Sequence, residues 1–346
     1  MKIGTLFLIV ALYGPTELFA QKKDGTRFIE NAGERKESLE NIYYPENDKM
    51  PFREIRVLDK RFDSSKTGYT FDFISNKYSR ILLQDSWSSI LNNYFKKNLD
   101  EEADQSLLIV IKSFWIQPGI LDKIQSIKGI KKIEKTTEDR GGSCTVEIDT
   151  YVQSNADLQA FIKIDTFFLS LSSLSYQSNI PEFLFLPFDS LAKKIKTTPL
   201  PELLVKRRKL SWTEVMHYYD QRFNLPVLRE ESMKKGIYQN FEDFRQNNPL
   251  VTEFKFKEGK RTDELYIVTN GKEEILQSYW GFFDGEDLYI HSGWNTFKAI
   301  RQQNAFELFG SLYISNYYND PLVVELIKNR LDKKIFQVNM DTGKLY

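Results

Sequence analysis

Two consecutive segments of this chain alternate apolar and polar residues, and they constrain its fold more than any other feature of the sequence. Residues 144–153 and 160–169 both show the pattern, and the turn-forming residues 154–157 separate them. Side chains alternate between the two faces of a β-strand, so a period of two indicates a strand that buries one face. The pattern predicts an antiparallel hairpin with one face in contact with water. Residues 107–116 are apolar on both faces, which is typical of a central strand.

A first strand is predicted at residues 53–58, and two helices are predicted around the hairpin. The longer helix is predicted from Ser79 to Leu99, because six apolar residues recur there at the spacing of one helical stripe. They are Leu83, Trp87, Ile90, Leu91, Tyr94 and Phe95. Since predicted strands flank this helix, we interpret the stripe as a core face rather than a partner-binding face. The shorter helix is predicted from Phe183 to Ile195.

The second half of the chain is predicted to be a β-meander with short helices. Its strands are predicted at residues 251–257, 264–269, 274–283, 288–291, 306–314 and 334–339. Asn270-Gly271 and Asp284-Gly285 supply the positive φ angles that two-residue hairpin turns require. A helix is predicted from Pro321 to Leu331. We therefore predict an α+β fold. An N-terminal α/β sandwich with a mostly antiparallel sheet is followed by a C-terminal β-meander domain with short helices.

The sequence divides into five predicted regions. They are a signal peptide at 1–20, a flexible leader at 21–50, an N-terminal α+β domain at 51–196, a linker and connecting helix at 197–232, and a C-terminal β-rich domain at 233–346. The boundary near residue 197 rests on Pro199 and Pro201, which resist both helix and sheet. Ser211 and Glu214 have the spacing of a capping box, and this box begins the connecting helix.

The first twenty residues have the pattern of a secretory signal. Lys2 gives a positive start, the apolar run from Ile3 to Tyr13 follows, and Gly14-Pro15 interrupts it before Ala20. Signal peptides need about 7–15 apolar residues, whereas a membrane span needs about 20. An uncleaved membrane anchor is the alternative. We expect cleavage near Ala20, which would leave a periplasmic or secreted mature chain without a transmembrane segment.

The chain carries 48 basic and 48 acidic side chains, so its formal charge is zero. Nucleic-acid-binding proteins usually need a basic excess or a concentrated basic face, so we expect no nucleic-acid partner. The basic run at residues 206–209 is compatible with a phosphate or anionic-lipid contact. Because Glu202 and Glu214 flank it, a solvated linker is the favoured interpretation. The only cysteine, Cys144, is interpreted as a buried apolar residue rather than a reactive thiol.

No catalytic residue, cofactor or metal site is predicted. The only histidines, His217 and His291, lack further ligands at the spacing of a zinc site. The acidic segment from Asp284 to Asp287 has its glycine at the second position rather than the sixth, so a hairpin turn is favoured over a calcium loop. The sequence contains neither a Gly-x-Ser-x-Gly turn nor a glycine-rich phosphate loop.

Aromatic residues are concentrated at 279–297. Core packing of a small sheet is the leading explanation for this concentration. One face cannot bury all of these side chains, however, because the adjacent Phe282 and Phe283 point to opposite faces of a strand. Exposed tyrosine and tryptophan side chains favour contacts with partners and glycans. We therefore name Trp280, Phe282 and Trp294 as candidate partner-binding residues.

Five segments of the chain carry a resemblance to known sequences. They are residues 235–244, 248–249, 280–285, 288–290 and 56–62. In these segments the chain resembles uncharacterised exported proteins of the Bacteroidota. The resemblance covers most of the second half and part of the first. It implies an envelope setting and carries no assigned activity.

These observations favour a non-enzymatic envelope protein that binds another envelope protein or a glycan. One alternative is a hydrolase that acts on an envelope polymer through two carboxylates, which a structure would place about 5–9.5 Å apart. Another alternative is a ligand carrier built around the sheet of the first half. A broad apolar surface without converging polar groups would favour the binding protein.

Overall fold

The predicted hairpin lies in the middle of a five-stranded sheet in the computed structural model. The structure describes residues 25–39, 42–45, 49–72, 75, 77–121, 139–170, 180–259, 263–292, 295–310 and 334–346. The elements up to residue 221 are α1 (Gly25–Glu30), β1 (Gly33–Glu37), β2 (Glu54–Asp59), β3 (Tyr69–Asp72), β4 (Lys77–Leu83), α2 (Trp87–Phe95), a 3₁₀ turn (Lys96–Asn98), β5 (Ser106–Leu121), β6 (Asp139–Ser154), β7 (Asp157–Ser170), α3 (Ile180–Thr197), α4 (Leu200–Val205), β8 (Lys209–Ser211) and α5 (Trp212–Gln221). The predicted signal peptide lies outside these residues.

The strands of the five-stranded sheet pair in the order β2-β5-β6-β7-β8. Only β2 and β5 are parallel, and the other pairs are antiparallel. Helices α2 and α3 cover one face of this sheet. The ring of Trp87 in α2 lies 4.8 Å from that of Phe114 in β5 and 5.4 Å from that of Phe188 in α3, measured between ring centroids. The stripe of α2 is thus a core face, as the sequence predicts.

The opposite face of the sheet is less open to water than the alternation predicts. Helix α5, which lies in the predicted linker, packs Val215 and Tyr219 against Leu108 and Val110 of β5. The capping box of α5 forms as predicted, since the side chain of Ser211 accepts a hydrogen bond from the backbone N–H of Glu214 and the Glu214 carboxylate accepts one from Ser211. The predicted linker therefore packs closely against the five-stranded sheet.

The predicted helix from Ser79 to Leu99 begins later than expected. Residues 77–83 form strand β4, which pairs with β1 on one side and β3 on the other. Ser86 then caps α2 by accepting a hydrogen bond from the backbone N–H of Ser89. Leu83, which precedes this cap, has the same helical spacing as the apolar residues that follow it. The spacing therefore does not reveal where the helix begins, and only the cap marks its start.

Residues 25–39, which lie within the predicted flexible leader, form α1 and β1 instead. The Phe28 ring of α1 stacks on Phe309 with a centroid separation of 4.3 Å, and Ile29 is fully buried. Strand β1 pairs in parallel with β4. Since its own side chains are mostly charged, its stability comes from a distant pairing that a local pattern does not encode.

The second half of the chain forms two antiparallel sheets. Its elements are α6 (Pro226–Arg229), β9 (Gly236–Tyr238), α7 (Phe241–Arg245), β10 (Phe254–Lys257), β11 (Glu264–Thr269), β12 (Lys272–Leu276), β13 (Gly281–Phe283), β14 (Leu288–Ser292), β15 (Asn295–Gln302), β16 (Ala305–Gly310) and β17 (Lys334–Gln337). Six strands pair in the order β17-β16-β15-β14-β13-β9, and the other three pair in the order β10-β11-β12. The predicted strand at 274–283 is two strands, and the predictions overlooked β15. The α+β prediction is confirmed.

The two-residue turn predicted at Asn270-Gly271 is present, with φ angles of 51° and 75°. The helix predicted from Pro321 to Leu331 and the end of the strand predicted at 306–314 lie outside the described residues. Among the helices of the described part, none is both long and apolar enough to cross a membrane.

A buried ionic cluster joins the two halves of the chain. Lys66, in the loop between β2 and β3, pairs with Asp63 and lies 2.9 Å from Oε1 of Glu307 in β16. Tyr69 donates a hydrogen bond of 2.7 Å to Oε2 of the same carboxylate. The side chains of the three charged residues are at most 1% exposed. Because an unpaired buried charge is costly, this cluster holds the loop against β16.

We expect a Gly68→Ala substitution in this loop to destabilise the protein strongly. Gly68 has a φ of +133°, and a Cβ atom there would lie 2.0 Å from the carbonyl oxygen of Ile116. The expected loss is more than about 3 kcal/mol in the free energy of unfolding, measured by urea titration. Gly271→Ala is the matched control, because its φ is +75° but no atom lies within 4 Å of the added Cβ. That control should lose only about 1 kcal/mol. Equal losses in the two variants would contradict the close contact with Ile116.

Candidate functional site

The three predicted partner-binding aromatics do not form one surface. Phe282 is fully buried between the six-stranded sheet and β10–β12, where its ring lies 4.8 Å from Tyr289. Trp280 is half-buried on the opposite side of the six-stranded sheet and stacks on Phe244 at 4.4 Å. Trp294 lies outside the described residues. The rings of Phe282 and Phe283 point to opposite faces of the sheet, as predicted. Apolar residues cover each of these faces, so Phe282 offers no surface to a partner.

The isolated thiol and imidazoles occupy unrelated positions. Cys144 is fully buried in β6, and this burial raises the pKa of its thiol. The His291 ring lies 4.3 Å from that of Tyr279, and burial lowers the pKa of the imidazole despite the opposing effect of Asp263. His217 is exposed on α5. Within the described residues, no three His, Cys, Asp or Glu side chains are grouped as a metal site would require.

The acidic segment from Asp284 to Asp287 is a hairpin turn as predicted, but Asp284 does not have the predicted positive φ angle. Its carboxylate accepts hydrogen bonds from the backbone N–H groups of Glu286 at 2.8 Å and Asp287 at 2.7 Å. Gly285 has a φ of 107°. The carboxylate therefore closes the turn, which is the common role of aspartate in such loops.

A polar network lies on the face of the five-stranded sheet that α5 packs against. Glu147 of β6 accepts hydrogen bonds from the hydroxyl of Tyr346 at 2.6 Å and the side-chain amide of Asn339 at 2.7 Å. Its second oxygen lies 3.3 Å from the ammonium of Lys112. The same ammonium lies 3.7 Å from Asp149, which also accepts a hydrogen bond of 2.8 Å from Tyr219. Two carboxylates of one strand thus share one cation.

Arg222, just after α5, extends this network. Its guanidinium contacts both carboxylate oxygens of Asp341 at distances of 2.7–3.1 Å and donates to the carbonyl of Lys60 at 2.8 Å. The crevice between these groups and Tyr346 has room for about one water molecule. The network therefore joins the sheet to the C-terminal segment, and it is too tightly closed to admit a polymer.

The ionisation of Glu147 also argues against a role as a general acid. Burial alone would raise the pKa of this carboxyl, but the hydrogen bond from Tyr346 and the charge of Lys112 outweigh it and lower the pKa. A general acid needs the opposite shift, towards the working pH. Both Glu147 oxygens are also already occupied by protein side chains, so they cannot reach a substrate.

The outer edge of β7 is unpaired over most of its length within the described residues. Strand β8 pairs with β7 only over residues 157–159. From Ala160 onwards, no strand in the part of the chain that the structure describes pairs with this edge. Unpaired strand edges present rows of N–H and C=O groups that another chain can bind.

The hydrogen bonds of Ile162 show which residues of β7 face outwards. Its backbone N–H donates to the hydroxyl of Thr150 in β6 at 2.9 Å, and its carbonyl accepts from the same hydroxyl at 2.8 Å. The register of β6 and β7 shifts at Thr150, and beyond this shift the pairing is regular from Lys163 to Ser170. Backbone groups of successive residues point to alternate sides of a regular antiparallel strand. The backbone N–H and C=O groups of Lys163, Asp165 and Phe167 therefore point away from β6.

The side chains beside this edge combine charge with an exposed ring. Lys163 and Asp165 form an ion pair of 3.3 Å and are 56% and 61% exposed. Phe167 is 63% exposed, although it belongs to a strand whose inner face is well buried. We call residues 160–168 the open edge. The sequence predicts the strand, but the local pattern carries no signal of which side remains unpaired.

Comparison with known proteins gives no family for this chain. No family model matches it, and no curated protein matches it. One solved structure, of protein XCC0632 from Xanthomonas campestris and described as DUF330, covers 54% of this chain and 99% of its own. The identity is 8% and the TM-score is 0.26, so this likeness carries no argument about fold or function.

We expect Glu147→Gln to lower stability in a pH-dependent way. A carboxyl whose pKa is lowered by folding stabilises the protein above its unfolded pKa of about 4.3, and this stabilisation is lost as the pH falls through the folded value. At neutral pH the variant should lose about 2–3 kcal/mol in the free energy of unfolding. The difference from the unsubstituted protein should shrink below about pH 4. Urea titrations across this range provide the measurement, with the exposed Glu231→Gln as control. A difference independent of pH would contradict the proposed network.

Proposed function

We propose that this chain is a non-enzymatic binding protein of the bacterial envelope, and that it binds an extended segment of a partner protein along the open edge. The observation that supports this proposal is the row of outward N–H and C=O groups at Lys163, Asp165 and Phe167. A polypeptide backbone carries donors and acceptors at the matching spacing, and strand addition to a sheet edge is a common mode of peptide recognition.

The side chains of the open edge define the kind of segment that fits. Burial of the exposed Phe167 ring under an apolar partner residue would contribute about 1.5–3 kcal/mol. Each completed backbone hydrogen bond adds about 0.5–1.5 kcal/mol. The Lys163–Asp165 pair provides both signs of charge, so the flanking residues of the partner need no net charge. A glycan lacks the regular row of amide donors and is the less suitable occupant.

The alternative of a hydrolase would use Glu147 and Asp149, since one ammonium contacts both carboxylates. Their oxygens accept hydrogen bonds from Tyr346, Asn339 and Tyr219. The neighbouring crevice has room for about one water molecule. This arrangement favours a stabilising role for the pair over catalysis.

The envelope setting rests on the predicted signal peptide, so we propose it together with a direct test. We expect mass spectrometry of the native protein to give Gln21 as the first residue, because Ala20 precedes the expected cleavage site. The processed protein should fractionate with the periplasm or the medium. A native protein that begins at Met1 and stays in the cytosolic fraction would refute the envelope setting.

The open edge can be tested by crosslinking in intact cells. We expect a photoreactive phenylalanine at position 167 to crosslink to one defined polypeptide, identified by mass spectrometry. The same group at position 218, which carries an equally exposed tyrosine on α5, is the control and should not form this product. Asp165→Pro should abolish the crosslink, because it removes one outward N–H group without removing a hydrogen bond to β6. Asp165→Asn keeps that N–H group and should preserve the crosslink.

A second substitution and amide hydrogen exchange test the open edge independently of the crosslink. Phe167→Ser changes only an exposed side chain, and it should weaken the binding of the crosslinked polypeptide to the purified protein even if Asp165→Pro does not fold. In the isolated protein, the amide hydrogens of Asp165 and Phe167 should exchange rapidly. Slow exchange at both positions would mean that this chain already covers the edge, and would overturn the proposal. A crosslink to a second copy of this chain would also overturn it.

A further inference from the structure

The segment from α4 to α5 carries exposed basic side chains between two exposed apolar ones. Val205 is 86% exposed and Trp212 is 39% exposed. Lys206 and Arg207 lie between them and are also exposed. We call these four residues the Val205–Trp212 surface.

The backbone beneath this surface is held in place by β7. The side-chain amide of Gln159 donates to the carbonyl of Leu204 at 2.8 Å and to that of Arg207 at 2.9 Å. Strand β8 then pairs with the start of β7, with Lys209 opposite Gln159. The basic turn is therefore fixed to the edge of the sheet, and its side chains are exposed to solvent as the sequence predicts.

Two of the four basic side chains at residues 206–209 form ion pairs. Arg208 lies 2.6 Å from Glu214 in the first turn of α5, and Lys209 lies 3.0 Å from Asp157. The first of these pairs also brings the basic turn next to the beginning of α5, where Trp212 lies. Among the described residues, Lys206 and Arg207 have no acidic partner within ion-pair distance. Their charges are thus available to an external anion.

We propose that the Val205–Trp212 surface docks onto an anionic phospholipid membrane. Tryptophan favours the interface between water and lipid, and lysine and arginine are attracted to anionic headgroups. A soluble phosphate would use the two cations but would gain nothing from the exposed Val205 and Trp212 side chains. A membrane surface uses all four. The nearby Glu202 lowers the net charge, so the apolar contacts are needed for binding. This inference is independent of the open edge.

The test is co-sedimentation of the processed chain, which begins at Gln21, with vesicles of phosphatidylglycerol and phosphatidylcholine in a 3:7 ratio. We expect binding to these vesicles and at least tenfold weaker binding to pure phosphatidylcholine. Since each cation near the surface contributes about fivefold in affinity, Lys206→Ala with Arg207→Ala should weaken binding by more than tenfold. Added salt should weaken it further, because salt screens exposed charges. Lys235→Ala with Lys272→Ala, two exposed cations elsewhere, should change binding by less than twofold.

A second measurement tests the apolar contact directly. Brominated lipids quench tryptophan fluorescence at short range, and the quenching should disappear in Trp212→Phe while the other tryptophans remain. Val205→Ser should weaken vesicle binding without affecting the thermal unfolding temperature, since this side chain is almost fully exposed. Equal binding to neutral vesicles would overturn the proposal. Unchanged quenching in Trp212→Phe, or full competition by soluble glycerol phosphate, would overturn it too.

Discussion

The carboxylate of Glu147 lies on a central strand of the five-stranded sheet, where it needs hydrogen-bond donors and an opposite charge. Its partners come from two directions, Lys112 on the adjacent strand and the C-terminal residues Asn339 and Tyr346. Because a charged group at such a site needs several hydrogen bonds, it fixes where the second half of the chain can dock. That docking covers β5 and β6 and leaves the outer side of β7 uncovered. Phe167 lies on β7, beyond the strands that these contacts reach, and it remains exposed.

The second ionic cluster has a related effect at the opposite end of the contact. Lys66 and Asp63 come from the loop that follows β2, and Glu307 comes from β16. Burial raises the pKa of Glu307, although Lys66 and Tyr69 act in the other direction. Buried ion pairs often add little net stability compared with apolar packing, but removing one partner is costly. The two clusters therefore select one arrangement of the two halves by penalising every arrangement that separates their charges.

Local signals in the sequence predicted the parts of this fold that depend on neighbouring residues. The alternation at 144–153 and 160–169, the capping box at Ser211 and the Asn270-Gly271 turn all correspond to the observed elements. The strand β1 was not predictable in this way, because it is mostly charged and depends on a parallel pairing with β4. The aromatic concentration identified a core rather than a surface, since composition does not reveal that β10–β12 cover Phe282. The open edge likewise depends on which strands do not pair with β7, and no local sequence pattern indicates this.

Strand β7 connects the two proposed surfaces physically. Its first residues pair with β8 and hold the basic turn through Gln159, whereas its last residues carry the open edge. At about 3.3 Å per residue, Gln159 and Phe167 lie about 26 Å apart along the strand. A protein docked through Trp212 would therefore hold its open edge at a fixed distance from the lipid contact, because one continuous hydrogen-bonded strand spans both. A partner segment that emerges from the same membrane would then need only to be extended to reach Phe167.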